Sequence, residues 1–231
     1  MLTCISSDHQ IPFQSDSAIR EWIKHISDRR PDKIILDGDV MDCNQLSVFE
    51  SAPDPTRTFK EEVRLTKMFL KTVRQHCPHA EIIYIFSNHE DRYRQKLIYQ
   101  VPELVEFKEF TLESLLELDS LGIRCVAQEQ KAASWIGSYV EDQGFYVGHY
   151  RKVCGKAGYT ASALMDELGV SVVQGHVHRL AHVFKRIMGK TLQGIESGCM
   201  CDLNPDYVLH TNWENGYVDI EDGVASIHHI L

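Results

Sequence analysis

Short apolar runs that stop abruptly at polar residues set the rhythm of this chain. Leu2–Ser6 reads as a strand and gives way to Ser7, Asp8, His9 and Gln10 before Pro12. Ser15 or Ser17 then stands where a helix cap belongs, ahead of Ile19, Trp22, Ile23 and Ile26 at helical spacing, and Pro31 lies beyond the end. "KIILDGD" is a short strand of fully buried type that ends in acids. Residues 44–57, which include "SAPDPTR", read as a surface loop. A helix is predicted from Phe59 to His76, with Val63, Met68, Phe69 and Leu70 partly on one face. "AEIIYIFSNHE" repeats the form of an apolar strand with a polar end.

The middle of the chain is more helical. Residues 91–119 carry short helical patterns broken at Pro102. "GIRCVA" and "GFYVGH" read as strands, Tyr159–Leu168 as a helix, and "VSVVQGHVH" as another apolar strand with a polar end. Two hairpins close the chain. One is expected to turn at Gly189-Lys190 and the other at Asp222-Gly223. A βαβα front and a β-rich back predict an α/β sandwich with mixed sheets. No linker or repeat interrupts the pattern, so residues 1–231 are expected to form one domain.

Composition narrows the partners. The net charge of -9 argues against a general basic coat for nucleic acid, while leaving room for a local basic patch. No apolar run approaches the ~20 residues of a membrane span, and no basic segment precedes a long apolar one at the N-terminus. The seven cysteines are odd in number and irregularly spaced, which predicts reduced, buried thiols in a cytoplasm. Cys199-Met200-Cys201 is not a C-x-x-C pair.

The chemistry sits at the strand ends: "SDHQ", "GDVMD", "SNHE", "GH" and "GHVH". Strand ends along one sheet edge are where α/β folds place ligand sites. Asp, Asn and His supply hard oxygen and borderline nitrogen donors. Gly38, Gly148 and Gly175 precede Asp39, His149 and His176, and each permits a sharp turn; Ser87 precedes Asn88. Asp39, after a central strand and a glycine, is the natural bridging carboxylate. The mixture suits Mn²⁺, Fe or Zn²⁺ better than Ca²⁺ or Mg²⁺. Two such ions ~3.5–4 Å apart can clamp a phosphoryl group and activate water. Residues two apart on an extended chain share a face. If the first strand's geometry persists, Asp8 and Gln10 face the metals and His9 faces away.

The ordered set Asp8-x-Gln10, Gly38-Asp39-x-x-Asp42, Asn88-His89-Glu90, His149 and Gly175-His176-x-His178 resembles the calcineurin-like metallophosphoesterases, whose pattern is D-x-H, G-D-x-x-D, G-N-H-E/D, H, G-H-x-H. "SGCMCDLNPDY" and "NWENGY" are similar to members coded by bacteriophages and prophages. The resemblance implies a four-layer α/β/β/α sandwich with two mixed β-sheets and the site at the sheet edges. It implies one ion on Asp8, Gln10, Asp39 and His178 and a second on Asp39, Asn88, His149 and His176. His89 would be the acid and Asp42 would orient it. The reaction implied is hydrolysis of a phosphate ester by water held between two divalent ions. The substrate would be a phosphodiester (nucleotide or nucleic acid) or a phosphomonoester, and the location the host cytoplasm if the protein is phage-encoded. The rival from another class is a metal-binding scaffold without turnover. Ser87 replaces the family's glycine, and a turn with slight strain is expected there. Gln10 replaces its histidine. An amide oxygen is the harder, weaker ligand, which tilts the expected ion toward Mn²⁺.

The remaining candidates carry two readings each. Arg92, Arg94 and Lys96 follow His89, and Arg151, Lys152 and Lys156 follow His149. They form either a positive rim for phosphates or a solvated face. Tyr93, Trp135 and Tyr150 either stack on a base or fill core. His25, His76, His79, His210, His228 and His229 read as surface or packing residues, and His182 as solvent-facing or adjacent to the ligands. Asp37 reads as a turn cap and Glu90 as a structural carboxylate.

Overall fold

The computed structural model describes residues 1–47, 58–127, 138–205 and 211–231; most of the loop around "SAPDPTR", Trp135 and His210 lie outside these residues. The first half alternates strand and helix. β1 (Leu2–Ser6) is buried along its whole length. α1 (Asp16–Arg29) starts at Ser15, whose Oγ accepts the Ala18 N–H at 3.3 Å. Its buried face is Ala18, Trp22 and Ile26. β2 (Lys33–Asp37) is followed by α2 (Phe59–His76), which is capped by Thr58. α2 buries Glu62, Thr66, Phe69, Leu70 and Val73. Met68 is out of phase with that stripe and is 52% exposed, contrary to its expected place on the apolar face. β3 (Glu81–Ile85) leads into α3 (Asn88–Gln100), which ends just before Pro102. Two short turns of 3-10 helix and α4 (Leu112–Leu115) connect to β4 (Ile123–Val126).

The second half is β-rich. β5 (Tyr139–Asp142) and β6 (Phe145–Gly148) form a hairpin. β5 has no counterpart among the expected strands. α5 (Tyr159–Leu168) and β7 (Ser171–Gln174) follow. β8 (Leu180–Ile187) pairs with β9 (Lys190–Ser197), and β10 (Gly216–Glu221) with β11 (Val224–His229). The β8–β9 turn is Met188-Gly189, one residue earlier than expected, because Ile187 pairs with Lys190. Both turn residues have positive φ, 48° and 81°, as the tight turn between twisted strands requires. The second turn falls at Asp222-Gly223 as expected.

The strands make a six-stranded sheet, ordered β11-β10-β1-β2-β3-β4, and a five-stranded sheet, ordered β5-β6-β7-β9-β8. Both are mixed. β1 to β4 run parallel while β10 and β11 run antiparallel to their neighbours, and β6, β7 and β9 are parallel between antiparallel β5 and β8. Alternation along each strand divides the core. Cys4, Ile34 and Ile82 join Trp22, Ile26, Leu70 and Val73 on the helix-covered face. Their neighbours Ile5, Ile35 and Ile83 face Val147, Val173 and Ile195 of the other sheet. Ala161, Leu164 and Met165 of α5 cover the far side against Val172 and Leu192. The result is the four-layer α/β/β/α sandwich that was expected. Fully burying each such aliphatic side chain contributes ~1.5–3 kcal/mol, so a one-residue slip that exchanged the faces is strongly disfavoured. The arrangement leaves the polar ends of parallel β1, β2 and β3 and of parallel β6 and β7 as the segments that carry the candidate ligands.

Candidate metal centre

The strand-end loops lock to one another through their backbones. Asp8 N–H donates to Gly38 O (3.0 Å), Gln10 N–H to Asp39 O (2.8 Å) and Ile11 N–H to Val40 O (2.9 Å). Met200 N–H reaches Ser7 O and Asp8 O from the loop after β9. This zipper holds an unusual backbone. Asp8, Gln10, Asp39, His176 and His178 all have positive φ, between 48° and 74°. Such conformations cost ~1–3 kcal/mol each for ordinary residues and cluster where a site demands them. Two glycines make the close approaches possible. A Cβ on Gly38 would lie 2.5 Å from His149 Nδ1, and one on Gly175 would lie 2.9 Å from Asp8 Oδ2.

Glu90 anchors the second loop. Its buried carboxylate accepts N–H groups from Asp39 (3.2 Å), Met41 (3.1 Å) and Ser87 (3.0 Å), and the Tyr84 hydroxyl at 2.7 Å. It is therefore a structural carboxylate, as expected. Ser87 is extended (φ -123°, ψ -162°) and carries no left-handed strain, contrary to expectation. Its Oγ accepts the Asp39 N–H at 2.8 Å, a contact that glycine would lack.

The donor atoms converge. His149 Nε2 lies 3.3 Å from Asp39 Oδ2 and 3.8 Å from Asp8 Oδ1, while its Nδ1 donates to the Asp37 carbonyl at 2.8 Å. Because a carbonyl only accepts, Nδ1 carries hydrogen and Nε2 faces the carboxylates. His178 Nε2 is 3.0 Å from Asp8 Oδ1 and 3.1 Å from Gln10 Nε2, the nitrogen of the amide. The donor atoms of Asp39, His149 and His176 lie within 4.8 Å of one another. Asn88 opens α3, whose first turn is fixed by His89 N–H donating to Asp39 Oδ1 at 3.2 Å. Among the described residues, Asp8 Oδ1, Asn88 Oδ1 and His149 Nε2 are buried without a hydrogen-bond partner. Buried oxygens and an imidazole nitrogen without a well-formed hydrogen bond fit a bound cation.

Electrostatics point the same way. Burial opposes ionisation of Asp39, but His89 and His149 outweigh it and hold its carboxyl well below the usual range. Burial likewise opposes charge on His149, yet Asp39 and Asp8 push it well above the ordinary imidazole value. His176 is lowered to about 4 by burial and by its neighbour His149. Protons on some imidazoles thus balance two buried carboxylates, and divalent ions would displace them. Burial also raises Asp37 to about 7; its Oδ2 accepts the Gly175 N–H at 2.9 Å, so it supports a second loop as well as orienting His149 through its carbonyl.

His89 Nδ1 faces Asp42 Oδ1 at 3.0 Å and its Nε2 lies 3.6 Å from Asp39 Oδ2. Burial opposes charge on His89, but Asp39 and Asp42 outweigh it and raise the imidazole. The Arg92 guanidinium bridges this pair, reaching His89 Nε2 at 3.0 Å and donating to the Asp42 carbonyl at 2.9 Å. The other expected cations are differently engaged. Arg151 leans on Asp91 at 3.8 Å and is exposed. Lys152 pairs with Glu167 of α5.

His9 turns away. It packs against Trp22 and Phe69, and burial lowers it to about 3, a neutral core histidine. The expectation that Asp8 and Gln10 share a side holds spatially, but not through strand alternation, because β1 ends at Ser6 and both residues are left-handed. Tyr150 is fully buried and Tyr93 stacks on Phe59 at 5.1 Å, so both are packing residues. His182 contacts Gln193 at 3.1 Å. Three neighbours lacked a sequence signal: Trp213 meets the His178 ring edge-on at 4.3 Å, and Cys201 Sγ lies 3.6 Å from His178 Nδ1 beside Cys199. All seven cysteines are free, though Cys125 and Cys154 are only half-buried.

No family model matches the chain. Among curated proteins it is 27% identical to the Gene 54 protein of Mycobacterium phage L5 and 25% identical to that of Mycobacterium phage D29, with 92% of this chain and 86% of each relative covered. Similar solved structures include wild-type Vps29 complexed with Zn²⁺ from Entamoeba histolytica (12% identity, TM-score 0.46, 100% of this chain and 98% of that one). Another is the E. coli phosphoesterase YfcE (12% identity, TM-score 0.44, 98% and 91%).

Proposed function

We propose that this chain is a metal-dependent phosphoesterase with a two-ion centre that hydrolyses a phosphodiester, in a nucleotide or nucleic acid. The observation that carries the reading is the orientation of His149. Its Nδ1–H is committed to the Asp37 carbonyl, so Nε2 joins the Asp8 and Asp39 carboxylates in a buried pocket of donors with incomplete hydrogen bonding. Asp8, Gln10, Asp39 and His178 would hold one ion, and Asp39, Asn88, His149 and His176 the other. The amide of Gln10 favours Mn²⁺ over Zn²⁺ or Fe. Such ions supply Lewis-acid charge and lower the pKa of water. The chain's own residues do the rest. Asp42 fixes the His89 ring through Nδ1, and protonated His89 would give its Nε2 proton to the leaving oxygen once the Arg92 guanidinium, which can only donate, has turned from Nε2 toward the phosphate.

The pairing of the rim cations favours a diester. Arg94 and Arg151 share the one charge of Asp91 and Lys152 pairs with Glu167, so the rim's positive charge is reduced but not cancelled, with Arg92 beside His89, which suits the single charge of a diester. The phage relatives and the free thiols fit a site of action in the host cytoplasm. Among the described residues no helix is long and apolar enough to cross a membrane. The test is turnover of bis-p-nitrophenyl phosphate and p-nitrophenyl phosphate with Mn²⁺. Faster diester cleavage is expected. Preference for the monoester would make the protein a phosphatase, and no turnover of either, or of single-stranded DNA, with any divalent metal would make it a scaffold.

A further inference from the structure

A second cluster of metal-type donors lies on the helix-covered face of the six-stranded sheet. Cys4 on β1 is fully buried and sits opposite Asp219 on β10 in the strand register. Its Sγ is 2.9 Å from Asp219 Oδ1. The other carboxylate oxygen receives two imidazoles: His25 Nε2 from α1 at 2.9 Å and His228 Nε2 from β11 at 3.1 Å. The two rings are 5.0 Å apart, and Tyr217 backs both, stacking on His228 at 4.6 Å and touching His25 at 4.7 Å. The expectation that His25 and His228 are surface or packing residues omits their common partner, which the two ends of the chain bring to them: β1 and α1 from one, β10 and β11 from the other.

We propose that Cys4, His25, Asp219 and His228 form a structural transition-metal site, suited above all to Zn²⁺, that pins α1 to β1, β10 and β11. One thiolate, two imidazoles and one carboxylate make a closed four-ligand set of the kind zinc takes in structural sites. The donor atoms of Cys4, His25 and Asp219 already lie within 4.8 Å of one another. Around a tetrahedral zinc with the usual bond lengths, donors stand ~3.3–3.7 Å apart; the contacts of 2.9, 2.9 and 3.1 Å on Asp219 would open slightly, and His228, which lies outside that close group, would swing inward to complete the set. The metal-free arrangement is also internally crowded. Both imidazoles crowd one carboxylate oxygen, and of the two only His25 makes a hydrogen bond of good geometry. Burial and the Asp219 charge push the Cys4 thiol up, so it keeps its proton against the carboxylate. On loading, Zn²⁺ replaces that proton, which leaves to solvent, and each imidazole binds through Nε2 as the neutral tautomer, its ring proton moving by way of solvent to Nδ1. The site stands apart from the candidate centre and does not depend on its reading.

The experiment uses the full chain, stripped with a chelator and reloaded with Co²⁺ or Zn²⁺. Co²⁺ should produce a thiolate-to-cobalt charge-transfer band that Cys4→Ser abolishes and the double variant Cys199→Ser/Cys201→Ser retains. Cys4→Ser should also hold one equivalent of Zn²⁺ fewer than the parent. His228→Gln, on the rim and compatible with folding if Cys4→Ser is not, should weaken Zn²⁺ at this site by ~10-fold or more. A band that survives Cys4→Ser, or disappears only in the double variant, overturns the proposal. So does a zinc content that neither Cys4→Ser nor His228→Gln alters, which would leave Asp219 as a hydrogen-bonding centre alone.

Discussion

Gly38→Ala tests how tightly the Asp39 loop is seated against His149. The glycine has φ +75°, and alanine there costs ~1–2 kcal/mol in backbone energy alone. The new methyl would also stand 2.5 Å from His149 Nδ1, 2.6 Å from its Cγ and 2.7 Å from Ser87 Cβ. Neither neighbour can withdraw cheaply. His149 is buried and holds the Asp37 carbonyl, and Ser87 is buried among Asp39 and Glu90. Overpacking of this kind costs ~1–3 kcal/mol, so the total loss expected is ~2–5 kcal/mol. Gly144→Ala isolates the backbone part, because that glycine also has positive φ (+85°) but nothing within 4 Å of an added Cβ. Urea unfolding of both variants should therefore separate them by ~1–3 kcal/mol. Because the clash falls on the His149 ring, Mn²⁺ titration by calorimetry should also show weaker binding in Gly38→Ala alone. Equal destabilisation of the two variants with unchanged Mn²⁺ affinity would refute the packing argument.

Other consequences follow from single side chains. Glu90→Gln keeps the shape but sets an amide N–H₂ against N–H donors; a loss of ~2–4 kcal/mol and weaker Mn²⁺ binding are expected, read by unfolding and calorimetry. Glu62 is raised from 4.5 to about 7 by burial and by Asp42, so the folded state holds its proton more tightly than the unfolded chain. Its presence weakens the fold progressively as pH rises from 4.5 through 7. Glu62→Gln should match the parent near pH 4 and exceed it near pH 8 by up to ~3 kcal/mol, measured by urea unfolding at each pH. Arg92→Ala should lower turnover far more than Lys152→Ala, since Arg92 touches His89 and Lys152 pairs with Glu167; comparable losses in the two would place both on the substrate.

The layers and the candidate ligands were legible because buried parallel strands read as apolar runs, and their ends as sudden clusters of Asp, Asn and His. Local spacing carried less about how those ends are shaped. Asp8 and Gln10 come together through left-handed turns hydrogen-bonded to Gly38 and Asp39, partners 30 residues away in sequence by the Asp8–Gly38 bond. β5 lacked a clear apolar pattern and owes its form to pairing with β6. Lys152 was visible as a cation, but its engagement with Glu167 depends on where α5 packs. His25 and His228 fitted no spacing because their common partner, Asp219, is supplied by a strand that pairs with the first one.

The most direct test of the central claim is diester turnover by His89→Ala with its metal content measured in the same sample. The account predicts that the parent protein cleaves bis-p-nitrophenyl phosphate with Mn²⁺, and that His89→Ala retains its ions but loses ~10²–10⁴-fold in rate. Undiminished turnover by the variant, or no cleavage by the metal-loaded parent, would contradict it.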